Sequence, residues 1–328
     1  MGIVYVISEH GGAGKTAVCM GIWRQISDNN TKVSACKLVS HVEDDADIGV
    51  FENLTGQKFI TFDSSSANNL RIDEIKKSME LITSDADVVI AESSSDLSLD
   101  DHLKIAEAID AKVLVVTKYG GDFSESLMTR MSEVFGERLV GYIVNGLTKY
   151  GKSHVTTMVD KITQLGGTKC FGIIPEDRLL LSASVKQILA FLDGEYLSDV
   201  GDTDALVEYL MVGGMSLDPG ELYFSIHENR AIIVRGDRPD IQMSALSTDG
   251  NTQCIILTNG VDPIEYVRYE AMSEQIPIIK VQSNTLDTME ALNELALHIK
   301  FDHPDKFTRM ADMVRSNVDV EEVLNYVR

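Results

Sequence analysis

At 328 residues the chain is long enough for two domains with separate cores. Its 51 acidic and 29 basic side chains leave a net charge of −22, which argues against nucleic acid or an anionic membrane as a partner, because both are held by clustered Lys and Arg. No apolar run approaches the roughly 20 residues of a membrane helix, and the N-terminus runs straight into a strand with no leader, so a cytoplasmic protein is expected. Cys19, Cys36, Cys170 and Cys254 lie far apart without metal-ligand spacing and read as reduced core thiols.

The first predicted strand is the apolar run Ile3 to Ile7. It leads through Ser8-Glu9-His10-Gly11-Gly12-Ala13-Gly14-Lys15-Thr16 into a helical pattern ending near Ser27. Strand, glycine-rich turn, Gly-Lys-Thr and helix is the order of a phosphate-binding P-loop. The glycines let backbone N–H groups converge on an anion, and the positive end of the helix adds to them. Gly11, Gly12, Ala13, Gly14, Lys15 and Thr16 are therefore the expected cradle for ATP or ADP. Lys15 is placed on the β- and γ-phosphates and the Thr16 hydroxyl on Mg²⁺.

Further strands are expected at Lys32 to Val39, Asp87 to Glu92, Lys112 to Thr117, Leu139 to Val144 and Cys170 to Ile174, alternating with helices. That alternation predicts an α/β fold, a P-loop NTPase parallel sheet with helices on both faces, over residues 1–195. Ligands in such sheets sit at the carboxyl ends of the strands, so the polar residues there carry weight. Glu92 ends the third expected strand and is a candidate metal ligand, or else an exposed strand-end acid. Glu43, Asp44, Asp45 and Asp47 follow the second; Asp45 is the candidate to complete the Mg²⁺ shell, with a solvated acidic loop as the alternative. Lys37, costly to bury on an inner strand, is a candidate catalytic contact to a phosphate or a substrate carboxylate. Asn145 is placed to read adenine, although asparagine also ends strands because it tolerates turns.

Residues 196–204, with their acids and Gly201, read as a linker. A second, smaller α/β domain is expected over 205–300, with strands near 205–212, 231–234, 254–257 and 277–281 and helices between them. Its strand ends carry Gly213 and Ser216, Asp237 and Arg238, and Thr258 and Asn259. A parallel sheet would gather them at one edge as a ligand pocket or a dimer surface, with Arg238 the candidate anion contact; tight turns explain each cluster singly. Residues 301–328 read as a charged helical tail too short to be a catalytic domain.

The loop together with Lys37-Leu38-Val39, Asp45-Ala46, Glu92, Val144-Asn145 and Gly172 to Asp177 resembles the dethiobiotin-synthetase-like ATPase domain. Leu38 replaces that enzyme's usual proline, and Glu92-Ser93-Ser94-Ser95 its glycines, so the biotin-precursor reaction is not carried over. His10 stands where related ATP-sandwich dimers carry a lysine. Met211 to Ser216, Arg235 to Gln242 and Ile256 to Gly260 resemble, in order, the DRTGG domain. The pair of domains is similar to the N-terminal region of long bacterial phosphate acetyltransferases, without their acyltransferase domain. This resemblance implies an ATP- and Mg²⁺-binding regulatory module, expected as a homodimer, that senses nucleotide and a small anionic metabolite. The alternative is an ATP-dependent ligase activating a carboxylate or carbamate at Lys37. A glutamine-fed variant is disfavoured because Cys170 and Cys254 lie inside apolar strands.

Overall fold

The computed structural model describes residues 2–40, 52, 60–63, 72–94, 97–121, 123–164, 168–198, 200–214 and 220–327. They divide into two compact units, one of Met1–Asp177 with Phe301–Arg328 and one of Arg178–Lys300. The second unit is thus an insertion into the first.

In the first unit the strands are β1 (Gly2–Ile7), β2 (Val33–Ser40), β3 (Ile60–Asp63), β4 (Val88–Ser93), β5 (Lys112–Lys118), β6 (Leu139–Leu147) and β7 (Lys169–Pro175). They form a parallel sheet in the order β3-β2-β4-β1-β5-β6-β7. β1 is buried along its whole length because helices cover both faces. Ile3, Tyr5 and Ile7 point into a core closed by α2 (Ile72–Thr83), α3 (Leu99–Ala108), α4 (Glu125–Phe135) and α5 (Lys152–Gln164). Alternation along the strand turns Val4 and Val6 to the other face. That face is covered by α1 (Lys15–Asp28), α11 (Pro304–Asn317) and α12 (Val320–Val327).

Two sequence expectations are corrected here. The sheet includes β3, a four-residue edge strand whose Ile-Thr-Phe-Asp is too short to stand out as a periodic pattern. Residues 301–328 are part of the first core rather than a charged tail. Phe307, Met310, Val314 and Val323 are buried, and Trp23 of α1 packs on Phe307 with ring centroids 6.4 Å apart. The Asp319 N–H donates to the Phe171 carbonyl at 2.8 Å, and Gly172 bridges to Val318. Asp305, Arg309, Asp312 and Arg315, among the charged residues that suggested a free tail, occupy the outward positions of an amphipathic helix, while Lys306 is buried.

The second unit begins earlier than its sequence pattern indicated. β8 (Ala183–Ser184) leads into α6 (Val185–Phe191), which starts with a capping box of Ser184 and Gln187. β9 (Glu195–Tyr196) follows, then β10 (Leu206–Val207), which pairs antiparallel with β8. β11 (Tyr209–Gly213), β12 (Arg230–Arg235), β13 (Thr252–Thr258) and β14 (Ile278–Lys280) form a parallel sheet, and β9 joins it antiparallel beside β14. Residues 196–198 are therefore not linker. The Ile278 N–H donates to Ser198 Oγ at 3.0 Å and the Leu197 N–H to the Ile278 carbonyl at 2.9 Å. The core on one face involves α7 (Gly220–Phe224), α8 (Pro239–Ser247) and α9 (Glu265–Ser273), and on the other α6 and α10 (Thr285–Leu295).

Candidate functional site

β4 lies on one side of β1 and β5 on the other, so the winding of the sheet reverses at the carboxyl end of β1. Such a reversal opens a crevice above the strand ends. The glycine-rich loop occupies it. Gly12 and Gly14 take φ of 76° and 81°, left-handed backbone that favours glycine, and Gly14 caps α1. His10, Gly11 and Gly12 are exposed, whereas Ala13 is buried. An ion pair between Glu9 and Arg130 ties the entrance of the loop to α4.

Four of the residues singled out from sequence meet here. Lys15 is buried, and its ammonium donates to Ser8 Oγ at 2.7 Å. Ser8 Oγ in turn donates to the His10 carbonyl at 2.7 Å. The Thr16 hydroxyl donates to Glu92 Oε1 at 2.7 Å. Glu92 lies in register with Val6 of β1 on one side and Lys37 of β2 on the other, and both Glu92 and Lys37 are buried. A hydroxyl and a carboxylate in contact beside a buried ammonium supply the hard oxygen donors that Mg²⁺ takes, and the positive charge that phosphate needs. The donor set fits a magnesium nucleotide.

Asn145 reaches the same loop by another route. Its Nδ2 donates to the Ala13 carbonyl at 3.0 Å, and a methyl group on Gly14 would overlap that nitrogen. The amide is a strut under the loop, rather than a group presented outward to a base as the sequence suggested. Asp45, with Glu43, Asp44 and Asp47, lies outside the described residues, as does Ser216.

Sequence reasoning missed Ser8 and His102. The Tyr5 hydroxyl and His102 Nδ1 share a hydrogen bond of 2.9 Å, and both side chains are buried. Burial first, then the charge of Lys15, pushes the His102 imidazole down to about 4, so it is neutral at pH 7. Below the site Cys19 is held well above the usual thiol range by burial and by the Glu92 charge, so it is inert. The signal for His102 is faint: one histidine on the inner face of α3.

In the second unit the register does bring the expected strand ends to one edge, with Gly213 beside Val234, Arg235 beside Thr258 and Leu257 beside Lys280. Their groups are largely engaged in turn structure. Arg238 makes a two-pronged contact to Asp240, at 2.9 and 2.7 Å, which corrects its reading as a cation awaiting an anion. Asp237 answers Arg235 in the same way, at 2.9 and 2.6 Å, rather than Arg238. Gln242 Nε2 holds the Arg235 and Gly236 carbonyls at 2.8 and 3.0 Å. Thr258 is buried and bonded to Thr285 at 3.0 Å, and Asn259 sits in a turn at φ 70°.

The segment from α6 to α10 that carries these strand ends, residues 187–295, matches the family model of the DRTGG domain. It is a DRTGG domain. Its boundaries fall inside the inserted unit, so the DRTGG domain and the P-loop unit are separate compact bodies. The chain is similar to two phosphate acetyltransferases. It is 26% identical over 159 residues to that of Nitratidesulfovibrio vulgaris, covering 46% of this chain and 22% of that protein. It is 22% identical over 363 residues to that of Synechocystis sp., covering 99% of this chain and 52% of that protein. The chain thus spans about half the length of the second relative and less of the first. Among solved structures it is similar to the MinC:MinD cell division protein complex of Aquifex aeolicus, at 18% identity and a TM-score of 0.40, covering 55% of this chain and 84% of that one. No helix among the described residues is long and apolar enough to cross a membrane.

Proposed function

We propose that the chain is a nucleotide-binding regulatory module in which Mg²⁺ with ATP or ADP sits on Gly11 to Thr16 and the DRTGG domain reports a second signal. The observation that carries this reading is the contact of Thr16 with Glu92 at 2.7 Å, next to the buried ammonium of Lys15. Lys15 orients the phosphates, Thr16 and Glu92 hold the metal, and the Asn145 amide keeps the loop in shape. A bound Mg²⁺ would neutralise phosphate charge there. Similarity to phosphate acetyltransferases over 99% of this chain in one case supports a role in acyl metabolism. The DRTGG domain is the part proposed to bring two copies together as a homodimer.

Calorimetry with ADP and Mg²⁺ tests the reading. Lys15→Ala removes a charge-assisted contact of roughly 1.5–3 kcal/mol and should weaken binding by about tenfold or more. An unchanged affinity in a folded variant would refute the P-loop assignment. A second reading, ATP-dependent activation of a carboxylate, is favoured by one observation: Lys37 is buried in register beside Glu92, where a catalytic ammonium would serve. Multiple turnovers of ATP with stoichiometric acyl product would select it, and tight binding with negligible turnover would select the module.

A further inference from the structure

The inserted unit holds a pocket of about 500 Å³ on the face carrying α10, away from the strand-end turns described above. Its inner wall is apolar, with Ile188 of α6, Val207 of β10, and Leu292 and Leu295 of α10, all buried. Its mouth holds Arg178, Tyr209 and His227. The Arg178 guanidinium lies over the Tyr209 ring, 4.6 Å from its centroid. The His227 ring stacks on the same tyrosine, 4.0 Å away and tilted by 5°. Two groups that close occupy opposite faces of the ring, so Tyr209 is clamped and the guanidinium is fixed in place.

The setting of Arg178 is unusual in this chain. Among the described residues, the other surface arginines each pair with a carboxylate: Arg24 with Asp28, Arg130 with Glu9, Arg138 with Asp110, Arg235 with Asp237, Arg238 with Asp240, Arg268 with Asp262, Arg309 with Asp177 and Arg315 with Asp28. Arg178 rests on an aromatic ring instead, in a protein with a net charge of −22. The carboxylate in the pocket wall, Glu208, accepts a hydrogen bond from Asn229 Nδ2 at 2.8 Å. A preorganised guanidinium at the rim of an apolar pocket matches a ligand with an apolar body and one anionic end.

We propose that this pocket binds a small amphiphilic carboxylate, its hydrocarbon chain against Ile188, Val207, Leu292 and Leu295 and its carboxylate on Arg178. The pocket also gathers residues from the two ends of the inserted unit, Arg178 and Leu181 at its start and Ala296 and Ile299 at its close. A ligand there would hold together the two points where the chain enters and leaves the unit. The site is independent of the nucleotide reading, and the two can fail separately.

Octanoate and 1-octanol, titrated calorimetrically into the full chain, separate the anionic from the apolar contribution. Octanoate is expected to bind saturably with one site per chain, and octanol at least about tenfold more weakly, the ratio a charge-assisted hydrogen bond supplies. Arg178→Gln should bring octanoate down to the level of octanol, while Arg178→Lys keeps most of the difference. Leu210→Glu, at a half-exposed position in the wall, should weaken octanoate by about tenfold or more without unfolding the protein. Lys15→Ala should leave octanoate binding unchanged. Absence of saturable binding, equal affinities for octanoate and octanol, or indifference to Arg178→Gln would each overturn the proposal. So would octanoate binding that fades as protein concentration rises, which would mean that a second copy of the chain covers the pocket.

Discussion

Replacing Gly21 of α1 by alanine tests how the last helices close the first unit. In an exposed helix the change would stabilise by up to about 1 kcal/mol. Here the added methyl would overlap Val314 Cγ2 of α11 and lie 3.0 Å from Val314 Cβ and 3.2 Å from the Met310 carbonyl oxygen. Overpacking of this kind costs about 1–3 kcal/mol, so Gly21→Ala should be neutral to about 2 kcal/mol destabilising. Val314→Ala alone should cost about 2 kcal/mol, from two lost methyl groups and the space they leave. In the double variant the alanine methyl at position 21 takes the space left by Val314 Cγ2, so that overlap disappears, the contacts to the remaining Cβ and to the Met310 carbonyl stay, and the helix gain remains. The pair should therefore be about 1–3 kcal/mol more stable than the sum of the single changes. Trp23, the chain's single tryptophan, lies on α1 against Phe307, so its fluorescence during urea denaturation reports this packing directly. Additivity within about 0.5 kcal/mol would refute the packing argument.

Glu92→Gln should weaken Mg²⁺-dependent nucleotide binding at least about fivefold more than metal-free ADP binding, measured by calorimetry with and without chelator; equal losses would remove Glu92 from the metal site. His102 should make the first unit acid-sensitive. Its folded pKa of about 4 lies below the ordinary 6.5, so between those values the unfolded chain binds a proton that the folded chain does not, and stability falls as pH drops from 6.5 to 4. Each pH unit in that window costs up to about 1.4 kcal/mol. His102→Gln should flatten that part of a urea-midpoint profile, and a profile parallel to the parent's would show that other groups set the acid limit.

The strands of the P-loop unit were legible because β1, β4, β5 and β6 are inner strands, continuous apolar runs closed by turn residues. β3 was not, because its four residues are too few to show a pattern, whereas the other edge strand, β7, has seven and could be read. The site was half legible. Lys15 and Thr16 could be placed by their position after a strand, and Glu92 and Lys37 by theirs near the carboxyl ends of strands, a rule that holds wherever the sheet is parallel. Ser8 escaped because a small polar residue in a loop looks like any other, and its role appears only when the Lys15 ammonium lands on it. Arg238 was misjudged for a related reason: a cation at a strand end invites an anion, but Asp240, two residues on, reaches it first. The α11 helix misled through its composition. Pro304-Asp305-Lys306 and the arginines that follow are hydrophilic on average, while the face formed by Phe307, Met310 and Val314 is apolar.

The insertion of residues 178–300 has a consequence during synthesis. A ribosome releases the P-loop helix long before it makes α11 and α12, which cover that helix. The intervening DRTGG domain can complete its own sheet first. Domains generally fold in the order in which they emerge. This chain reverses that order, with the inner domain finishing while the outer one waits with an apolar helix face uncovered. A nascent chain stalled once residue 300 has left the ribosome, with α11 and α12 still inside it, should accordingly hold a protease-resistant insert preceded by a first unit open to cleavage. It is in that interval that a chaperone would find α1.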